Sequence, residues 1–193
     1  MPPSLLKEFQ KLGIIVSQIF GQTETSPITW LPISDASRKL GSVGIPVLHG
    51  DVKIVNQAGV EVKPGEVGEI VVSGPTLMSG YWGRPEATEE TIKDGQLHTG
   101  DLAKVDEEGF FYIADRKKDV IISGGENIYP AEVEKGFLEH PKISDVAVVG
   151  IPDEKWGEVG MAFIVLHEGE RMTEDEALRF CEERLAKFKI PKS

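Results

Sequence analysis

The sequence is poor in three features that would each assign it to a particular class. It has a single cysteine, Cys181, so no disulfide forms within the chain, which is typical of a reducing compartment. Acidic residues outnumber basic ones by 32 to 21, and no stripe of Lys and Arg is present, which argues against a nucleic-acid partner. No apolar run reaches the roughly 20 residues of a transmembrane segment, and the N-terminus lacks a signal-peptide pattern. We therefore expect a cytoplasmic, globular protein.

The first half of the chain begins with one segment of amphipathic pattern and continues with many short runs of residues that favour β-strands. Residues 4–12 have helical spacing, and residues 14–20 are typical of a strand that leads into a Gly-Gln-Thr-Glu loop. From about Gly41 to Ile113, Gly, Pro and Asn turns separate the runs, which predicts an antiparallel sheet or a small barrel. Strands are expected at residues 52–55, 68–73, 102–105 and 110–113, with a hairpin turn at 106–109.

The second half predicts a small α+β unit, so the fold class is mixed α/β. The expected elements are a helix from Pro130 to shortly before Pro141, buried strands at 146–151 and 161–166, and a helix through Lys187 that Thr173 and Glu176 begin as a capping box. Cys181 falls on one face of that last helix with Leu178 and Leu185, which favours a packing role over a nucleophile or a metal ligand.

A segment of unusual composition joins the two halves. Residues 115–134 contain a run of alternating charge, a glycine pair and a helix start at Pro130. This order resembles the hinge segment of the adenylate-forming enzymes, a superfamily of acyl-CoA synthetases, luciferases and peptide-synthetase adenylation domains. Other segments match that family in the same order, namely residues 20–25, residues 65–75 with 80–82, and residues 98–101.

Residues 20–25 resemble the family's aromatic-Gly-x-Thr-Glu motif. The resemblance places Phe20 against adenine and Gly21 beside the nucleotide. It also implies that Thr23 donates to an α-phosphate oxygen of ATP and that Glu24 supplies a hard oxygen ligand for Mg²⁺. The same residue types also suit an ordinary helix cap.

Residues 98–101 resemble the family's ribose-binding motif. Asp101 is then the residue whose carboxylate accepts hydrogen bonds from both ribose hydroxyls, and Arg116 contacts the same ribose or a nearby phosphate. The alternative for Asp101 is a plain turn aspartate.

The charged segment corresponds in the family to a pivot followed by a loop for the second reaction. Lys118 matches the residue whose backbone dihedrals swing the small domain, although a solvated charge run would have the same composition. Bare backbone at Gly124 and Gly125 would line a tunnel for the pantetheine of CoA. Trp156 would form a wall of that tunnel or serve as a structural anchor, and Phe188 resembles an aromatic that contacts the CoA adenine.

The resemblance also predicts the domain organisation. Residues 1–115 would be the end of a large N-terminal adenylation domain with an antiparallel, β-barrel-like subdomain, residues 116–119 the hinge, and residues 120–193 a small α+β C-terminal domain that is incomplete. The family's phosphate loop and its late lysine have no counterpart, so we expect a piece of a longer enzyme that is inactive alone.

The function implied by the resemblance is that of an ATP-dependent acyl-CoA synthetase. Such an enzyme activates a carboxylic acid, here expected to be a fatty acid, with ATP and Mg²⁺ and then transfers the acyl group to CoA. Three alternatives remain: a binding module for AMP or ATP without turnover, an adenylating enzyme with an acceptor other than CoA, and an acidic interaction domain.

Overall fold

The computed structural model describes residues 3–192, with side chains from residue 5 onward. The expected ends of the piece, at Met1 and Ser193, lie outside the described residues. The chain divides into two compact units, of which the first ends at Ile113 and the second begins at Ala114. No helix among the described residues is long and apolar enough to cross a membrane.

The elements of the first unit end with a strand that spans the division between the two units. They are α1 (Pro3–Lys11), β1 (Ile19–Gln22), β2 (Ser26–Trp30), β3 (Ile45–Pro46), β4 (Asp51–Val55), β5 (Gly68–Ser73), α2 (Pro85–Thr91), β6 (Ile92–Lys93), β7 (Gln96–Val105) and β8 (Phe111–Arg116). The second unit continues with a 3₁₀ helix (Lys117–Asp119), β9 (Ile121–Ser123), β10 (Glu126–Ile128), α3 (Pro130–Phe137), β11 (Ile143–Asp153), β12 (Gly157–Leu166), α4 (Glu174–Glu182) and a 3₁₀ helix (Lys187–Lys189).

Two antiparallel sheets build the first unit. One has the order β1-β2-β3, and the other has the order β4-β5-β7-β6, with β8 paired to β7. Fully buried Ile28 of β2 packs in one core with Ile70 and Val72 of β5. The predicted antiparallel sheet is confirmed. The barrel alternative is not, because no pairing among residues 3–192 closes the sheet on itself.

The strand predicted at residues 14–20 is largely wrong. Only its last two residues belong to β1, and Ile14 and Ile15 lie outside any strand with about half of their surface exposed. A β-branched run forms a strand only where a partner strand takes up its backbone hydrogen bonds. In this part of the chain such pairing to β2 begins at Ile19.

Arg38 and Lys39, in the loop between β2 and β3, form salt bridges with acidic residues in the turn of the β7–β8 hairpin. Lys39 Nζ lies 2.7 Å from Asp106 Oδ2, and Arg38 Nη1 lies 2.6 Å from Glu108 Oε2. Both cations lie over the ring of Phe110. Hydrogen bonds from Lys39 and then from Arg38 lower the pKa of Glu108. The predicted hairpin turn is confirmed, since the N–H of Gly109 donates to the Asp106 carbonyl at 3.0 Å.

The second unit is one antiparallel sheet covered by helices on one face. The sheet order is β10-β9-β12-β11, and its inner face packs against α3 and α4 through Ile121, Val133, Phe137 and Cys181. Burial raises the pKa of the Cys181 thiol to about 11, and its side chain has no exposed surface. The predicted packing role of this cysteine is therefore confirmed.

The capping box of α4 is present as predicted, but the helix is shorter. The Glu176 N–H donates to Thr173 Oγ1 at 3.3 Å, and the Thr173 N–H donates to Glu176 Oε2 at 2.9 Å. The helix ends at Glu182 rather than at Lys187. The chain tightens after this point, because the Arg184 N–H donates to the Cys181 carbonyl three residues earlier, as in a 3₁₀ turn.

The strands β11 and β12 are not buried on both faces, contrary to the prediction. Their burial alternates along the chain, and Val149, Phe163 and Val165 are 43%, 57% and 57% exposed. The sequence is apolar at these positions although they face solvent in this unit. The alternation of apolar and polar residues that normally marks a sheet with one buried face is therefore absent from the sequence of these strands.

Candidate functional site

Residues 20–25 form the hairpin that joins β1 and β2, not a helix cap. Phe20 is half-buried and packs against the core of the first unit. A Cβ at Gly21 would lie 2.2 Å from the Ser26 carbonyl oxygen across the hairpin, so only glycine fits there. Thr25 is fully buried, and its hydroxyl accepts the Gln22 N–H at 3.1 Å. These contacts fix the backbone of the turn.

The two candidate catalytic side chains at the tip of this hairpin have different surroundings. Thr23 is exposed, and its hydroxyl has no hydrogen-bond partner among the described residues, which leaves it free to donate to a ligand. The half-buried Glu24 accepts a hydrogen bond from the Tyr81 hydroxyl to Oε1 at 2.9 Å, and its carbonyl accepts the Met78 N–H at 2.8 Å. Burial and then the Glu24 carboxylate raise the pKa of Tyr81.

Asp101 lies on a β-bulge in β7. The register between β5 and β7 shifts so that residues 99–101 oppose a single residue, Ile70, and Gly100 has φ +72°. Side chains satisfy the backbone groups that the bulge takes out of the ladder. Glu69 Oε1 accepts the Gly100 N–H at 3.2 Å, and the Thr99 hydroxyl donates to the Ile70 carbonyl at 2.8 Å and accepts the Asp101 N–H at 3.1 Å.

The bulge and the hairpin turn are joined by one side-chain amide. Gln22 Nε2 donates to the Thr99 carbonyl at 2.9 Å and to Asp101 Oδ2 at 2.6 Å. Asp101 is only 4% exposed, so its carboxylate depends on such donors. The structure thus brings two sequence-predicted residue groups, separated by more than 70 positions in the chain, into one hydrogen-bonded site.

The predicted pivot follows β8 directly. Arg116 ends that strand, and Lys118 lies in the exposed 3₁₀ helix Lys117–Asp119. Asp115 holds this segment within the second unit, because Oδ1 accepts the Arg116 N–H at 2.7 Å and Oδ2 accepts the Ala131 N–H at 2.9 Å. Ala131 lies in the first turn of α3, whose cap residue provides no side-chain hydrogen bond. Asp115 therefore caps α3 from a distance.

The glycine pair forms the two-residue turn of the β9–β10 hairpin. Gly124 and Gly125 have φ of +60° and +90°, which is the conformation that such turns require and that favours glycine. A Cβ at Gly124 would lie 2.7 Å from Cε3 of Trp156, whereas a Cβ at Gly125 would meet nothing within 4 Å. Asp153 Oδ1 accepts the Trp156 N–H at 2.8 Å and so fixes the loop that carries the tryptophan.

Phe188 lies on the 3₁₀ helix Lys187–Lys189, which packs beside β10. Its ring is 43% exposed. Lys189 holds this helix in place, because its Nζ lies 2.7 Å from both carboxylate oxygens of Glu132 on α3. The candidate CoA residues thus share the region around the β9–β10 hairpin, with the Trp156 ring on one glycine and the phenylalanine beside the second strand.

Sequence reasoning missed three residues of this arrangement. Gln22, Glu69 and Tyr81 hold the candidate nucleotide residues, yet their partners lie 31 to 79 positions away. No local pattern marks a side chain that acts over such a separation. Asp101 and Arg116 belong to different compact units, so their shared contact with one ribose remains a prediction.

Comparison with known proteins relates both units to one group of enzymes. A family model described as AMP-binding enzyme matches residues 1–82, and a second described as AMP-binding enzyme C-terminal domain matches residues 132–193. The chain is 48% identical to a feruloyl-CoA synthase of an Amycolatopsis species over all of its length. It is 50% identical to a 2-succinylbenzoate–CoA ligase of Bacillus cereus (strain AH820) over 99% of its length.

Solved structures of an o-succinylbenzoate CoA synthetase from Bacillus subtilis superpose closely. The complex with its acyl-adenylate intermediate has a TM-score of 0.91 at 46% identity and covers 99% of this chain and 39% of the solved one. The complex with ATP and a magnesium ion has a TM-score of 0.89 at 44% identity and covers 100% and 40%. The chain spans about two fifths of the length of the curated relatives, 40% and 39% for the two above.

Proposed function

Because the chain belongs to the adenylate-forming, AMP-binding enzyme family, we propose that the protein serves as an ATP-dependent carboxylate–CoA ligase. In the first reaction, a carboxylate oxygen of the acid attacks the α-phosphorus of ATP and releases pyrophosphate, which leaves an acyl-adenylate. In the second, the thiolate of CoA attacks the acyl carbon, AMP leaves and a thioester forms. The ligase assignment agrees with the relatives that align along nearly the whole chain.

The buried Asp101 carboxylate beside the Thr23–Glu24 turn is the observation that carries the nucleotide site. A buried carboxylate needs hydrogen-bond donors to offset the free energy of removing it from water, and the hydroxyl groups of a ribose are such donors. Thr23 offers an exposed hydroxyl on the hairpin that Gln22 ties to Asp101. Phe20 contributes an aromatic surface on the preceding strand. For Arg116, the family resemblance alone supports the proposed contact of its guanidinium with the ribose or a nearby phosphate.

Glu24 fits the magnesium ion that this chemistry uses. Mg²⁺ is commonly held by one or two carboxylates together with phosphate oxygens and water, so a single glutamate suffices. Tyr81 occupies only Oε1 of Glu24 with its hydrogen bond. Glu24 would hold a magnesium ion, which would supply charge neutralisation for the phosphates, and Thr23 would donate to the α-phosphate.

The second reaction would use the β9–β10 hairpin and its neighbours. We propose that CoA passes Gly125, whose Cα faces open space, and that Trp156 and Phe188 contact it with their exposed ring surfaces. Gly125→Ala should slow thioester formation about tenfold and leave pyrophosphate release unchanged. Gly59→Ala is the matched control, because Gly59 also has a positive φ of +74° and an open Cβ position in a turn of the first unit. Equal effects of the two variants would contradict the tunnel role.

We propose Lys118 as the pivot between the two reactions. Its exposed position in a short 3₁₀ helix supports this role, because no buried side chain of that helix opposes a change in its dihedral angles. Lys118→Pro, which fixes φ, should abolish thioester formation while adenylation continues. Lys118→Ala keeps the dihedral freedom and should retain both reactions. A proline variant that forms thioester at the normal rate would exclude rotation about φ at this residue.

The acid is proposed to carry an aromatic ring, instead of the fatty acid that the sequence led us to expect. The aligned relatives are named for feruloyl and 2-succinylbenzoate substrates, and both acids contain a benzene ring. A full-length enzyme that contains this chain should release pyrophosphate faster with ferulate or 2-succinylbenzoate than with octanoate or palmitate. Faster turnover of the alkyl acids would reverse this part of the proposal.

The nucleotide site is tested by removing one charge in the full-length enzyme. Asp101→Asn should reduce kcat/KM for ATP about 10-fold to 100-fold, as expected when hydrogen bonds to a charged group are weakened. Asp51→Asn is the control, since Asp51 is an exposed aspartate on β4 of the same unit. Unchanged ATP kinetics in Asp101→Asn would overturn the ribose role. Pyrophosphate release without any thioester would instead favour an acceptor other than CoA.

A further inference from the structure

We infer that Gln22 is a positioning residue for ATP recognition, acting through Asp101. This inference rests on the proposed function. Gln22 precedes the candidate phosphate-contacting residue, Thr23, in the sequence, and its side chain reaches across to the bulge in β7. It thereby joins the part of the site assigned to the phosphates to the part assigned to the ribose.

The partners of Gln22 determine which end of its amide faces the bulge. Both the Thr99 carbonyl and the Asp101 carboxylate accept hydrogen bonds, so the group between them must be the NH₂ donor. One nitrogen therefore uses its two hydrogens on two different acceptors. Since the Thr99 carbonyl belongs to the hydrogen-bonded bulge, it orients the Gln22 amide, which in turn orients Oδ2 of Asp101.

The 2.6 Å separation of Gln22 Nε2 from Asp101 Oδ2 is short for a neutral donor on a carboxylate. A carboxylate with one oxygen held in this way presents its remaining lone pairs in a defined direction. Two ribose hydroxyls can be recognised together only if that direction is constant. Without Gln22, Asp101 would keep its charge but lose the hydrogen bond to Oδ2 that helps to orient it, and the deoxy nucleotide would be rejected less strongly.

Gln22→Met tests this inference in the full-length enzyme, because methionine keeps the length of the side chain and removes the donor. The preference for ATP over 2′-deoxy-ATP and 3′-deoxy-ATP, measured as a ratio of kcat/KM values, should fall about tenfold. The matched control is Gln18→Met. Gln18 is another half-buried glutamine of the first unit, and its Nε2 donates to the Ser42 carbonyl at 2.7 Å, away from the bulge.

Three results would separate the inference from the function on which it rests. A wild-type enzyme that neither binds ATP nor releases pyrophosphate would overturn the proposed function, and the inference with it. An active wild type in which Gln22→Met slows ATP and the deoxy nucleotides equally would overturn the inference alone. A lost preference in Gln22→Met but not in Gln18→Met would establish it.

Discussion

Replacing Gly124 by alanine should destabilise the second unit more than the same change at Gly125. Both glycines have positive φ, so each alanine would cost about 1–2 kcal/mol for adopting the left-handed conformation. Only at Gly124 does the new methyl group meet another side chain, at 2.7 Å from Cε3 of Trp156. Overpacking of this kind costs about 1–3 kcal/mol. Because Trp156 is 41% exposed and its ring can move outward, we expect an excess of about 1–2 kcal/mol.

Urea unfolding of the 193-residue chain, followed by circular dichroism, measures the free energy of unfolding of each variant. The comparison is made a second time in a Trp156→Ala background, where the ring is absent. The excess destabilisation of Gly124→Ala over Gly125→Ala should then disappear, because only the φ cost remains. Equal stabilities of the two alanine variants in the wild-type background would refute the packing argument. An excess that persists without the tryptophan would do the same.

Two further predictions concern side chains that the sequence did not single out. Tyr81→Phe removes the hydroxyl that holds Glu24 and should raise the Mg²⁺ concentration needed for half-maximal pyrophosphate release in the full-length enzyme about tenfold, whereas Tyr112→Phe, whose hydroxyl bonds outside the site, should not. Lys39→Met removes the largest cause of the lowered pKa of Glu108. A carboxyl group with a lowered folded-state pKa stabilises the protein at pH values above its unfolded pKa near 4.5, and this stabilisation is lost as the pH falls below that value. The Lys39→Met variant should therefore lose less stability than wild type between about pH 5 and pH 2 in acid-unfolding measurements. An acid transition of unchanged steepness would contradict the pairing.

The sequence predicted elements whose signals are local. The capping box of α4 needs only Thr173 and Glu176, three residues apart, and the structure contains both of its hydrogen bonds. The end of that helix depended on how the chain after Cys181 packs, and the prediction missed it by five residues. Residues 14–18 were apolar enough for a strand but lie outside the ladder of β1 and β2, which begins at Ile19. Periodicity shows what a segment can form, while pairing decides what it does form.

The candidate site shows the same division between local and distant information. Motif matches located Glu24 and Asp101, because each residue lies in a short pattern with a chemical reason for its composition. The side chains that orient them, Tyr81 and Gln22, were treated as packing and as a variable position. Their roles depend on contacts across the β sheets that no single segment encodes. The bulge that presents Asp101 was equally hidden, since it arises from the register of two strands.

The hydrogen bond between Asp115 and the Ala131 amide closes a ring of backbone that contains Lys118. A change of dihedral angle at Lys118 displaces every later residue relative to every earlier one, so donor and acceptor cannot both keep their places if rotation occurs there alone. One orientation would then have the bond and the other would lack it. If the proposed rotation at Lys118 occurs, the Ala131 amide should exchange its hydrogen with solvent faster in the orientation that lacks the bond, so that one backbone proton would report which orientation is present.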